Sequence, residues 1–286
     1  MKPAHFAYAR PRDLAAALEL LAGEHGTIKI IAGGQSIGPM LNLRLVEPDL
    51  VVDVAGLPEL RQATLDGKLM LGACVTHADI EDGRVPDVTG GAMARVASAI
   101  AYRAVRNRGT VGGSLVHADP AADWVTALLA LEAEIELASR AERRHLRLAD
   151  FILGALDVAL RPGELLVAVR VPAVPTHSRW GYVKHCRKVG EFAHAIGSVL
   201  LDPVSGQGRA VIGAVEAAPV IIADARPLFG GRIDSSFVSR FDPAVADQAL
   251  IDAGMTDAID RHIHVTVLRR AVIQAGEPAG TLASAA

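Results

Sequence analysis

The sequence predicts an α+β chain that is rich in α/β alternation at first and ends in a smaller α+β domain. Three observations predict it. Short β-branched runs alternate with helical apolar spacing up to about residue 175. Paired glycines stop those runs. A break between Pro172 and Trp180, carrying two prolines, a histidine and a serine, then separates off a hairpin and two helical stretches.

Leu14, Ala17, Leu18 and Leu21 give residues 13–25 a helical apolar stripe, with Gly26 in the place of a C-terminal cap. Residues 28–32 and 50–54 read as buried strands, the first stopped by Gly33-Gly34. Gly67 and Gly72 bracket a further strand, and Thr76 suits the N-cap of a helix starting near Ala78. An alanine-rich helix is expected over 92–102, ending in Arg103, Arg106 and Arg108, and a glycine loop over 109–114. A helix over 123–132 and strands over 134–137 and 165–171 complete the first part. Beyond the break, 196–201 and 210–215 flank a turn-rich segment as a hairpin. Helical patterns follow at 243–253 and 262–275, and the tail from Gly276 is expected to fray. No internal repeat or low-complexity tract is visible.

Composition excludes several functions. Arg plus Lys is 29 and Asp plus Glu 32, a formal charge of −3, so no basic excess exists to neutralise a nucleic-acid backbone. Two cysteines, Cys74 and Cys186, can build neither a disulfide framework nor an iron–sulfur site that needs four thiolates. A reducing cytoplasm is the expected compartment. The first residues lack the apolar core of a signal peptide, and runs such as 127–131 are too short to span a bilayer.

The chemistry-bearing segments are the two glycine motifs. Ala32-Gly33-Gly34-Gln35-Ser36 follows a strand directly; paired glycines permit a sharp turn and close approach of a ligand to backbone N–H groups. An ordinary strand-to-helix turn is the equally weighted plain reading. Gly109-Thr110-Val111-Gly112-Gly113-Ser114 repeats the pairing with hydroxyl donors, and two such loops could converge on the two phosphates of a dinucleotide. Neither loop is a Walker A or a Gly-x-Gly-x-x-Gly motif. Arg103 reads as a solvated helix end, whereas Arg106 and Arg108 stay open between that and phosphate contact. His117, Asp119 and Asp123 match no standard zinc spacing, and an aspartate capping the following helix is the simpler account. His262 and His264, two apart, face different sides of a helix.

Three segments, residues 31–45, 106–123 and 182–193, resemble in order and spacing the FAD-binding medium (flavoprotein) subunit of the molybdenum hydroxylases, of the carbon monoxide dehydrogenase and xanthine dehydrogenase type. The resemblance implies a two-lobed vanillyl-alcohol-oxidase-like FAD domain over 1–175, with lobes of about 1–55 and 56–175, and a C-terminal flavoprotein domain over 176–286. It implies cofactor contacts at Ile31, Ala32, Gly33, Gly34, Gln35, Ser36, Ile37 and Gly38. A second set is Ile100, Gly109, Thr110, Gly112, Gly113 and Ser114. Asp123 would bind on the ribose or adenine side, His117 would line the cofactor and Leu166 would pack near the flavin ring. Tyr182 or Lys184 would lie near the isoalloxazine, supplying positive charge. Cys186 departs from the basic residue that the resemblance implies at this position and receives no role.

The resemblance further implies FAD as the cofactor of this chain, with no catalytic acid or base required and no metal bound. Two [2Fe–2S] clusters would sit on a small subunit and the molybdenum cofactor on a large one, in a dimer of heterotrimers. Electrons would arrive singly from the clusters and pass to an external acceptor. A stand-alone FAD-dependent reductase or oxidase, and a non-catalytic assembly factor of the same fold, are the alternatives.

Overall fold

Ala7–Ala9 form β1, and the stripe of Leu14, Ala17 and Leu18 buries one face of α1 (Leu14–Ala22) in a computed structural model describing residues 2–277. Asp13 caps α1, its carboxylate accepting the Ala16 N–H at 2.8 Å. The helix ends at Gly23 rather than Gly26. Gly26, at φ +68°, instead turns the chain into β2 (Ile28–Ile31), with the Asp49 carboxylate filling the space a Cβ would take. After α2 (Ile37–Asn42), β3 (Leu50–Asp53) pairs in parallel with both earlier strands, in the order β1-β3-β2.

The next elements are β4 (Ala63–Asp66), β5 (Lys68–Gly72), α3 (His77–Glu81), α4 (Ala92–Ser98), α5 (Arg103–Arg106), α6 (Val111–His117) and α7 (Asp123–Ala130). Thr76 caps α3 through a reciprocal capping box with Asp79. The alanine-rich helix is shorter than expected: Ala101, at φ +41°, breaks it before the arginines, which begin α5. The second glycine segment is a loop only at its start, because Thr110 caps α6 by accepting the Gly113 N–H at 3.1 Å. Then follow β6 (Glu134–Ala138), β7 (Arg143–Arg147), α8 (Leu148–Phe151), β8 (Ile152–Gly154), β9 (Asp157–Val158) and β10 (Leu165–Pro172). An antiparallel sheet of order β4-β5-β10-β6-β7 results. Leu14, Leu50, Val52, Leu60, Leu165 and Val167 belong to one apolar core.

The described residues fall into two compact units. One runs to Asp119 and resumes over Glu132–Ala173; the other takes Pro120–Leu131 and then Val174 onward. The segment holding α7, expected within the first domain, therefore packs with the second. In that unit, β11 (Arg179–His185), β12 (Ala195–Asp202), β13 (Gln207–Gly213) and β14 (Val220–Ile222) form an antiparallel meander, joined by α9 (Pro243–Asp252) and α10 (Ala258–Gly276). Gly213 explains where α7 goes: a Cβ there would overlap the Thr126 hydroxyl, so its absence lets the helix sit against β13. α10 starts earlier than the expected 262, at a cap in which Asp257 accepts two backbone N–H groups. The tail expected to fray lies, beyond Glu277, outside the described residues.

α10 packs directly on the meander because two strand residues lack side chains. A Cβ on Gly181 would overlap the Ala271 carbonyl oxygen, and one on Gly197 would come within 2.7 Å of the Leu268 Cα. Both clashes are with backbone, which cannot rotate away. Gly197→Ala should therefore cost about 1–3 kcal/mol, read as a lower denaturant midpoint of the full chain.

The first unit contains a buried imidazole with a pH consequence. Burial, reinforced by the nearby Arg106 charge, pushes His77 down to about 4 from 6.5. Below pH 6.5 the unfolded chain takes up a proton that the folded chain refuses, so stability present at neutral pH is lost as pH falls toward 4. The loss should be on the order of 3 kcal/mol. A His77→Gln variant should show a smaller deficit against the wild type at pH 4.5 than at pH 7, measured by denaturant unfolding at both.

Candidate functional site

The two glycine turns, far apart in sequence, touch. β2 delivers the chain to Gly33, where a Cβ would overlap the Arg108 carbonyl oxygen and lie 2.9 Å from the Gly109 Cα. Only a residue without a side chain lets these backbones meet. Arg108 crosses the same seam, its Nε donating to the Gly33 carbonyl at 3.3 Å. Gln35 donates its side-chain amide to that carbonyl at 3.2 Å.

The second turn is held in place by backbone. His77 N–H donates to Gly109 O at 2.9 Å, Val111 N–H to Val75 O at 3.1 Å and Gly112 N–H to Ala73 O at 2.9 Å. A Cβ on Gly112 would fall 2.6 Å from the Ala73 Cβ, and one on Gly109 2.7 Å from the His77 Nε2. Those two glycines serve packing. Gly34 is required for a different reason, a φ of +75°. Gly38 is required by neither, since nothing lies within 4 Å of the place its Cβ would occupy.

Among the described residues, the N–H groups of Gly33, Gly34, Gln35 and Ser36 have no acceptor. Ser36 is exposed and makes no capping bond. Residues 31–38 and 109–114 contain no acid, so neither turn sets a carboxylate of its own against an anionic group. The donor set and the Gly38 opening therefore fit a phosphate-bearing ligand. Ile31, Ala32 and Ile37 are half-buried around this turn. Gly113 and Ser114 lie in the first turns of α6, with His117 about 5 Å further along the helix.

Other expected contacts are placed differently. Ile100 is half-buried after α4, its carbonyl accepting the Arg106 guanidinium at 3.0 Å. Leu166 lies inside the β10 sheet and is only 2% exposed, leaving almost no side-chain surface for a ligand. Arg106 is fully engaged as well: it makes a two-pronged bond to Glu81, at 2.7 and 2.9 Å, beside its backbone contacts. Arg103 pairs with Glu81 and Asp82 on the surface. Of the three arginines only Arg108 reaches the seam.

In the second unit, Asp123, Tyr182 and Lys184 form one cluster. The Tyr182 hydroxyl donates to the Asp123 carboxylate at 2.7 Å, and the Lys184 ammonium lies 2.9 Å from the same oxygen. Burial, with the adjacent Asp123 charge, pushes the Tyr182 phenol well above its ordinary range, so it stays a donor. Asp123 does not act as the N-cap of α7; that residue is Ala122, with no capping side chain. Asp123 and the pair Tyr182 and Lys184 were expected at opposite ends of an extended cofactor. Groups in hydrogen-bond contact cannot be, so the two assignments exclude one another. Lys184 also presents no lone positive charge, because Asp123 neutralises it. Gln274, which no local sequence signal marks, reaches from α10 to accept the Tyr182 N–H at 2.6 Å, on the outer edge of the sheet.

The pair of cysteines is placed without metal partners: Cys74 is buried, its thiol pushed up to about 12 by desolvation, and Cys186 is half-buried. Among the described residues no three His, Cys, Asp or Glu side chains gather as a metal ion would require. No helix among them is long and apolar enough to cross a membrane.

Residues 4–174 match the family described as the FAD binding domain in molybdopterin dehydrogenase. The chain is 36% identical over 212 residues to the 6-hydroxypseudooxynicotine dehydrogenase complex subunit alpha of Paenarthrobacter nicotinovorans, covering 73% of this chain and 71% of that one. It is 34% identical to the carbon monoxide dehydrogenase medium chain of Hydrogenophaga pseudoflava, covering 68% of each. The solved structure of quinoline 2-oxidoreductase from Pseudomonas putida 86 superposes with a TM-score of 0.83 at 30% identity, over 96% of this chain and 98% of that one. The contact between the glycine turns thus lies inside a domain of known type, and the chain belongs to the FAD-binding domain family of the molybdopterin dehydrogenases as an oxidoreductase subunit of the medium-chain kind.

Proposed function

We propose that the seam between Gly33 and Gly109 holds the diphosphate of FAD, and that the chain relays electrons within a molybdenum hydroxylase. The observation that carries this is the meeting of the two turns beside unused backbone donors. Gly33 and Gly34 would donate N–H groups to one phosphate, with Gln35 and Ser36 adding donors at the same turn. Gly113 and Ser114 would face the cofactor from the second motif, with Thr110 and Gly112 holding that motif in place behind them, and Gly38 would leave the room it needs. Ile31, Ala32, Ile37, Ile100 and His117 would border it. When bound, FAD supplies exchange between one-electron donors and a two-electron acceptor. The protein's part is to fix the cofactor's position and to keep carboxylates away from its phosphates.

The donors in this reading are [2Fe–2S] clusters on a small subunit, and the substrate is oxidised at a molybdenum cofactor on a large subunit. Two cysteines on this chain are too few for a cluster, which supports placing the clusters on a partner. A dimer of such heterotrimers, working in the cytoplasm with an external acceptor, completes the proposal. Within this chain Asp123, Tyr182 and Lys184 act as a brace, tying α7 to β11.

The test is the visible spectrum of the full chain, alone and co-expressed with its neighbouring subunits, beside a Gly38→Val variant. Oxidised-flavin absorbance is expected on the wild type, with cluster absorbance only in the complex. Because no protein atom lies within 4 Å of a Cβ at position 38, the variant should keep its unfolding free energy within about 1 kcal/mol yet lose most of its flavin. Equal flavin occupancy in both proteins would place the cofactor elsewhere; a colourless wild type in both settings would support the assembly-factor alternative.

A further inference from the structure

Of the three arginines that precede the second turn, Arg108 alone has no acid partner among the described residues. Arg103 is held by Glu81 and Asp82, and Arg106 by Glu81 and two carbonyls. Arg84, too, is taken up by Asp79 and Asp82. Arg108 has no ion pair among the described residues; its only side-chain hydrogen bond runs from Nε to the Gly33 carbonyl. Its side chain is exposed, and this bond fixes the guanidinium at the junction of the two turns.

We propose that Arg108 is a ligand-binding residue that recognises a diphosphate at this junction, serving also as the clasp between the turns. The inference rests on the reading of the seam as the cofactor's phosphate site. Two physical arguments support it. Backbone N–H groups offer dipoles but no net charge, so a diphosphate bound by them alone leaves its charge uncompensated, and an unpaired guanidinium supplies the missing cation with planar paired donors. The Gly33 carbonyl would otherwise turn lone pairs toward an incoming anion. Arg108 and Gln35 both donate to that oxygen and so occupy it. Five N–H donors are available on a guanidinium, and the clasp uses one.

The experiment measures binding of FAD, ADP and riboflavin to the flavin-stripped full chain, for wild type, Arg108→Lys and Arg108→Gln, at two ionic strengths. Arg108→Gln should weaken FAD and ADP by about 10- to 100-fold and flatten their salt dependence, while riboflavin, which has no phosphate, is unchanged. Arg108→Lys should recover part of the loss. Equal FAD and ADP affinity in wild type and Arg108→Gln would overturn the assignment while leaving the cofactor site intact. A parallel loss for all three ligands would also overturn it, reducing Arg108 to a structural clasp. A wild-type chain that binds neither FAD nor ADP would instead sink the reading of the seam itself.

Discussion

The backbone of Gly33 lies directly against the carbonyl of Arg108 and the Cα of Gly109, and the rest of the first unit is arranged to keep it there. On one side of the contact stands the parallel sheet, which ends β2 at the turn. On the other, a chain of backbone bonds runs from β10 outward: Val167 accepts the Ala73 N–H, Ala73 accepts the Gly112 N–H, and Gly109 accepts the His77 N–H. Each bond is ordinary, worth about 1 kcal/mol net, but in series they leave the second turn no freedom relative to the antiparallel sheet. The two sheets of the first unit are therefore registered through a point where no side chain intervenes.

Glycines that look alike in the motifs have separate physical causes. Gly33, Gly109 and Gly112 are excluded from having a side chain by neighbouring protein, and Gly34 by its backbone angle. A protein could keep all four for folding alone. Gly38 differs, because its vacancy serves nothing inside the chain, and a helix position is normally better filled by alanine than by glycine. The distinction matters for inference. A paired-glycine motif is compatible with a turn and with a ligand site, and only a vacancy that the fold does not use separates them.

Local chemistry made much of the fold legible. The β-branched runs at 28–31 and 50–53 became neighbouring strands, Thr76 became a cap because its hydroxyl and Asp79 satisfy each other's backbone, and the turn after Leu201 became a hairpin. What escaped the sequence was decided by distant partners. Nothing near residue 126 announces that its hydroxyl will face Gly213, so the packing of this helix on β13 is not legible from its own residues. Ala101 adopts a left-handed angle that alanine rarely takes, and no residue pattern predicts the break in the alanine-rich helix. In the candidate site the first turn was legible because its glycines, Gln35 and Ser36 are contiguous. The fates of Arg103 and Arg106 were not, because Glu81 and Asp82 lie more than twenty residues away and only folding brings them together.

The Asp123, Tyr182 and Lys184 cluster shows why charge read from sequence misleads. A lysine near a redox cofactor invites a role as a lone cation, and an aspartate one as a lone anion. In contact at 2.9 Å they form a dipole, whose field decays faster than that of a charge, and the Tyr182 hydroxyl further occupies the carboxylate. Burying such a pair is repaid only when its geometry and its extra hydrogen bond are good, and removing one partner would strand the other. The cluster is thus better suited to fixing α7 against β11 than to tuning a distant group. The opposite holds at the seam. There a guanidinium faces outward with no acid beside it, and its charge is available to whatever binds.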